Sequence, residues 1–130
     1  MDKKELEFVL KEGEGQFIEF KESLDSKSLS KEITAFANSQ GGKIFIGISD
    51  DGKIKGIEIT NKLKSEIQDI ARNCDPSIKV KTEQLDKILI VKVEEGSNKP
   101  YSCSQGFYLR SGASSLSEIW IGRVLGCLAL

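Results

Sequence analysis

Residues 33–56, ITAFANSQGGKIFIGISDDGKIKG, change hydrophobic period halfway along. Leu29, Ile33, Phe36, Ala37 and Gln40 fall at i, i+4, i+7 and beyond, one stripe of a helix. Gly41 and Gly42 then stop that helix, because a left-handed exit costs glycine little. Lys43 to Ser49 follows as an apolar strand, Asp51-Gly52 carries the signal of a hairpin turn, and Ile54 to Ile57 reads as the returning strand.

The flanks extend this alternation. Leu6, Val9 and Leu10 mark a short amphipathic helix closed by Gly13, and Gln16 to Lys21 reads as a strand with Ile18 and Phe20 on one face and Phe17 and Glu19 on the other. The serine-rich stretch after Lys21 ends in a helix cap at or near Ser28. Thr60 or Asn61 caps a third helix with Leu63, Ile67, Ile70 and Ala71 inward, ended by Asp75-Pro76. Strands are expected at about Ile78–Gln84 and Ile88–Glu94, with extended pieces near Pro100–Cys103 and Phe107–Arg110. A helical, strongly apolar tail is expected from Ser115. The order predicts an α+β fold, a mixed β-sheet with helices packed mainly on one face, in a single domain spanning residues 1–130.

Composition excludes several chemistries. The 130 residues are 38% hydrophobic and 30% charged with a net charge of −1, as in a globular protein with no global basic excess. There is no histidine, and Cys74, Cys103 and Cys127 form no CxxC pair, which argues against zinc, a disulfide framework and any histidine-based triad. Chemistry would have to run on carboxylates, lysine, hydroxyls or an oxygen-bound metal. No run approaches the ~20 apolar residues of a membrane span, and the charged start MDKKELEF is unlike a signal peptide, so a cytoplasmic location without a membrane partner is expected. The apolar tail suggests either a docked helix or a packing surface for a partner, such as a homodimer contact.

Carboxylates punctuate the strands. Glu19 interrupts an apolar run, where an acid is costly unless it is paired or ligating. Its two readings are a hard-metal ligand and an ion pair with Lys21 or a lysine across the sheet. Glu14 lies between Gly13 and Gly15, free to swing toward Glu19, while Asp50 continues by parity the face of Ile44, Ile46 and Ile48, with Asp51 as the turn residue. Glu14, Glu19 and Asp50 are expected around one cleft. Asn38, Gly41 and Gly42 read either as a close helix–strand junction or as a place of close approach by a phosphate or sugar. Lys21, Lys99, Arg110 and Ser111, with Lys43 beside them, are the candidate phosphate contacts, and pairing to Glu19 or another core-edge acid is the rival reading of Arg110.

At GEGQFIEFKES (13–23), ITAFANSQGGKIFIGISDDGKIKG (33–56), KPY (99–101) and YLRSGASS (108–115), the chain resembles the Schlafen-type AlbA domain. This Alba-like module occurs in Schlafen proteins and in microbial proteins described as transcriptional regulators. The resemblance implies nucleic-acid (DNA or RNA) binding. It also implies two alternatives. One is a Mg²⁺- or Mn²⁺-dependent endoribonuclease in which Glu14, Glu19 and Asp50 are the catalytic and metal-holding acids. In animal Schlafens two such modules share one chain, so here dimerisation would have to supply the second. The weaker alternative is ATP binding, from the family's older description as divergent ATPases; the chain has no GxxxxGK[ST] to support it.

Overall fold

A computed structural model describes residues 1–116 of the chain. Helix α1 (Lys3–Glu12) starts where the Asp2 carboxylate accepts a hydrogen bond from the Glu5 N–H at 2.8 Å and ends at Gly13, whose φ of 81° suits glycine. Strand β1 (Ile18–Lys21) leads to α2 (Ser26–Asn38), which begins two residues before the expected cap at Ser28, with Asp25 at its N-cap. Strand β2 (Gly42–Ile46) follows, then α3 (Asn61–Arg72), capped by the Thr60 hydroxyl on the Leu63 N–H at 3.1 Å. Strands β3 (Val80–Leu85) and β4 (Ile88–Val93) form a hairpin.

These four strands make one mixed sheet in the order β1-β2-β4-β3, with β1 and β2 parallel and the other pairs antiparallel. The α+β class is the one expected. On one face, Ile44, Ile46, Leu89, Val91 and Val93 pack with Leu29, Ile33 and Phe36 of α2 and Ile67 and Ala71 of α3. On the other, Phe20, Phe45, Ile88 and Ile90 pack with Leu6 of α1. Among the described residues, α2 and α3 thus share a face, and α1 takes the opposite one.

Two local expectations fail for one reason. Gly47 adopts φ 110°, which breaks the alternation after β2, so Ile48 joins Phe45 rather than Ile44 and Ile46. The return at Ile54–Ile57 is not a strand: only an Ile48–Ile54 bridge forms. Lys55 and Gly56 donate their N–H groups to Gly47 O, and Ile57 donates to Lys87 O, so the chain wraps around the end of β2.

Past residue 100, the hairpins β5 (Ser102–Cys103)/β6 (Gly106–Phe107) and β7 (Leu109–Ser111)/β8 (Ser114–Leu116) pack against α2. Ser115 is therefore in a strand rather than starting a helix. The remainder of the expected apolar tail, and the homodimer contact assigned to it, lie outside the described residues.

Candidate functional site

Arg110 on β7 is the centre of the acidic cleft. Its guanidinium is fully buried, Nη1 donating to Glu19 Oε1 at 3.2 Å and Glu32 Oε2 at 2.8 Å, and Nη2 donating to Gly15 O and Ile18 O at 2.9 Å each. Its plane lies over the Phe36 ring at 4.8 Å. Ser115 Oγ bridges, accepting from Nη1 and donating to Glu32 Oε2 at 2.8 Å. Glu19 reaches this place because it alternates with Phe20 on β1 and so faces α2, next to Ile44 on β2. Of the two readings of Arg110, the internal pair is the one the fold adopts. A fork held on four sides is not free to meet a phosphate.

One guanidinium here faces several acids. Lys21 adds a second cation 3.9 Å from Glu32, while its Nζ donates to Ser28 Oγ at 2.6 Å. Burial, and then a hydrogen bond shared with Glu14, push the Glu19 carboxyl up to about 7, against the opposing pull of Arg110. Burial raises Glu32 as well. Glu14 meanwhile accepts the Phe20 N–H at 3.1 Å, capping the free edge of β1.

A pH dependence follows. Folded Glu19 holds a proton up to about 7, against an ordinary value of 4.5, so the folded state binds more protons than the unfolded chain between those limits. Its contribution is fully present below the lower limit and is lost as pH rises through the upper one. Urea midpoints are expected to fall between pH 5 and pH 8 by the equivalent of about 2 kcal/mol. Glu19→Gln, which mimics the protonated acid, should flatten that profile. A wild-type midpoint that rises over this range would contradict the assignment.

The remaining candidates fall in different places. Asp50 is exposed on the Ser49–Lys53 turn, while its neighbour Asp51 accepts the Ser49 hydroxyl and pairs with Lys53 at 3.7 Å. The expected three-acid cluster is thus reduced to Glu14 and Glu19. No group of three or more His, Cys, Asp or Glu side chains among the described residues is placed to hold one metal ion. The acids present do not fit Mg²⁺ or Mn²⁺ as a ligand set, since Glu19 is engaged by Arg110 and Glu14 by a backbone N–H. Lys99 pairs with Glu95 at 2.6 Å near the surface, and Ser111 is exposed.

Asn38 is buried, and its amide bonds the backbone of Tyr101 and Tyr108; the Ser39 hydroxyl accepts the Arg110 N–H at 2.9 Å. A Cβ on Gly41 would stand 2.7 Å from Val93 O, and one on Gly42 would stand 2.4 Å from the Phe36 ring and 2.8 Å from Phe17 O. These residues close the molecule on itself. A side chain on either glycine would clash within the molecule, which favours the junction reading, while Gly42 also lines an open cleft with Gln40 and Lys43.

Glu32 and Gln16 were not among the candidates. Gln16 accepts the Gly112 N–H at 2.8 Å and donates to Arg110 O at 3.3 Å, tying β1's approach to the β7–β8 turn. Glu32 did leave a signal: with Leu29, Ile33 and Phe36 it completes the i, i+3, i+4, i+7 stripe, and an acid inside an apolar stripe implies a buried partner.

The sequence blocks that suggested a family therefore meet at one place, residues 14–19 and 32–42 closing on 101–115. The profile of the family described as Schlafen, AlbA_2 matches residues 14–117. Among solved structures, the DIP2311 protein from Corynebacterium diphtheriae is similar in fold, with a TM-score of 0.60 at 21% identity over 78% of this chain. The matched region is 22% of that longer chain. With its profile match covering most of its length, the chain belongs to the Schlafen AlbA_2 family.

Proposed function

We propose that the chain is a nucleic-acid-binding module of the Schlafen AlbA type, acting within a transcription-regulating protein. Membership of an Alba-like family over residues 14–117 is the observation that carries this reading. The regulator role rests on the resemblance of the sequence blocks to modules found in microbial transcriptional regulators.

The buried Arg110–Glu19–Glu32 cluster takes a structural part in this reading: it fixes β7 and β8 against the edge of β1. Contact with nucleic acid then falls to cations that keep solvent access. Lys21 and Lys99 remain candidates of this kind, beside the exposed Ser111. The endoribonuclease alternative needs acids free to hold a metal, whereas Glu14, Glu19 and the neighbouring Glu32 are engaged by the Phe20 N–H, Arg110 and Ser115, and no metal-dependent step is assigned to them. ATP binding has no GxxxxGK[ST] motif in the sequence to support it.

The test is a titration of labelled single- and double-stranded DNA and RNA at several salt concentrations. The logarithm of the affinity is expected to fall linearly with the logarithm of salt, with a slope set by the number of phosphates neutralised. Arg110→Lys should leave that slope unchanged if it folds. Absence of binding at low salt, or binding insensitive to salt, would reject the proposal.

A further inference from the structure

The strand register sets three lysines side by side. Lys43 of β2 is opposite Lys92 of β4, and Lys92 is opposite Lys81 of β3, so all three stand on one rung of one sheet face. It is the face that carries Phe45 and Ile90, beyond the part packed with α1. Neighbouring strands are about 4.8 Å apart, and like charges directly opposite one another destabilise a sheet. Lysines on edge strands commonly block unwanted pairing, which would account for Lys81 on β3. It does not account for Lys43 or Lys92, whose strands are interior in the order β1-β2-β4-β3.

The acids nearby leave two of these charges open. Lys81 pairs with Glu94 at 3.8 Å, and Glu83 takes the Met1 ammonium, whereas Lys43 and Lys92 have no ion-pair partner among the described residues. Lys43 and Lys92 also separate two depressions. One is a groove of about 290 Å³ that runs past Lys81, Thr82 and Ile90. The other is a cleft of about 430 Å³ whose wall includes Val9, Ile18 and Phe17, the last 49% exposed, and also Glu94 and Glu95, which pair with Lys81 and Lys99.

We infer that this rung and the adjoining cleft hold a single-stranded nucleic-acid segment, an inference that rests on the nucleic-acid reading above and places its contact surface. Lys43 and Lys92 neutralise successive phosphates, and Phe17 supplies an aromatic surface for an unstacked base. Cations along a groove with an exposed aromatic ring form the usual platform for single strands, and a base held in duplex stacking has no face to offer such a ring. The cost of three adjacent like charges is offset when the polyanion is bound.

Fluorescence anisotropy with a labelled single-stranded oligonucleotide tests this on the described chain. The salt slope for single strands is about −0.7 per phosphate neutralised, so Lys43→Ala/Lys92→Ala should reduce its magnitude by about 1.4. Phe17→Ala should weaken binding by about tenfold at constant slope. Lys55→Ala/Lys62→Ala, elsewhere on the surface, should weaken binding much less. Thermal melting supplies a readout independent of ligand: removing Lys43 and Lys92 should leave the midpoint equal or higher, since repulsion is relieved.

If the wild type binds while the Lys43/Lys92 variant keeps its affinity and slope, this surface is wrong and the nucleic-acid reading stands. A duplex bound as tightly, with the same loss in that variant, overturns the single-strand assignment. No binding of any nucleic acid by the wild type rejects both.

Discussion

Arg110→Met is expected to cost about 3–5 kcal/mol at neutral pH, the range for removing one partner of a buried ion pair. Methionine fills much of the volume, so the loss is electrostatic rather than a cavity. Without the guanidinium, Glu19 and Glu32 remain buried, 7% and 8% exposed, and the carbonyls of Gly15 and Ile18 lose their donor. The acids can escape only by taking up protons, so the variant should regain stability as pH falls from 8 to 5, more steeply than the wild type. Arg110→Met combined with Glu19→Gln and Glu32→Gln should recover most of the loss, because no uncompensated charge is left. Urea midpoints at both pH values decide it. A loss below about 1 kcal/mol with an unchanged pH slope would show that the cluster is not the buried network described.

The elements were largely legible in the sequence because their signals are local. The Leu29–Phe36 stripe, the Thr60 cap, the two glycines after Gln40 and the alternation in β3 and β4 need only neighbours a few residues apart. The same blocks carried the family resemblance. What could not be read depended on register or on one dihedral angle. Gly47 at φ 110° inverts the parity of everything after it, which removes the return strand and takes Ile48 off the Ile44 face that was to carry Asp50.

The partner of Arg110 was named as Glu19 or another acid at the core edge, but Glu32 is 78 residues away and its role appears only when α2 lies beside β7. The Lys43–Lys92–Lys81 rung is invisible in the linear chain for a similar reason. Lys43 stood out only as one candidate phosphate contact, and Lys81 and Lys92 are ordinary polar residues in alternating strands until three strands are paired. A resemblance supplies candidate positions for function; the fold decides which of those side chains remain free to act.

Asn38 shows the same point with the second large expected effect. Its Nδ2 donates to Tyr101 O and Tyr108 O, both at 2.8 Å, and its Oδ1 accepts the Tyr101 N–H at 2.6 Å. One side chain at the end of α2 thus satisfies three backbone groups of the C-terminal lobe. Asn38→Ala would strand them in a buried place and should cost about 3 kcal/mol or more, since each unsatisfied buried group is worth about 1–3 kcal/mol. Asn38→Asp is the sharper variant. It keeps the shape and the acceptor for Tyr101 N–H, yet sets a carboxylate against two carbonyl oxygens, so it should be at least as damaging at pH 7 and milder at low pH, where the acid can donate. Amide hydrogen exchange should locate the loss in residues 99–116, with β2 and β4 protected to a greater extent. Arg110 is two residues past Tyr108, so the Glu19 and Glu32 contacts should loosen in the same variants, and the fall in stability between pH 5 and pH 8 should steepen, as it does in Arg110→Met. Wild-type stability in Asn38→Asp at neutral pH, with exchange unchanged across the lobe, would mean that the clamp is not what holds Arg110 in place.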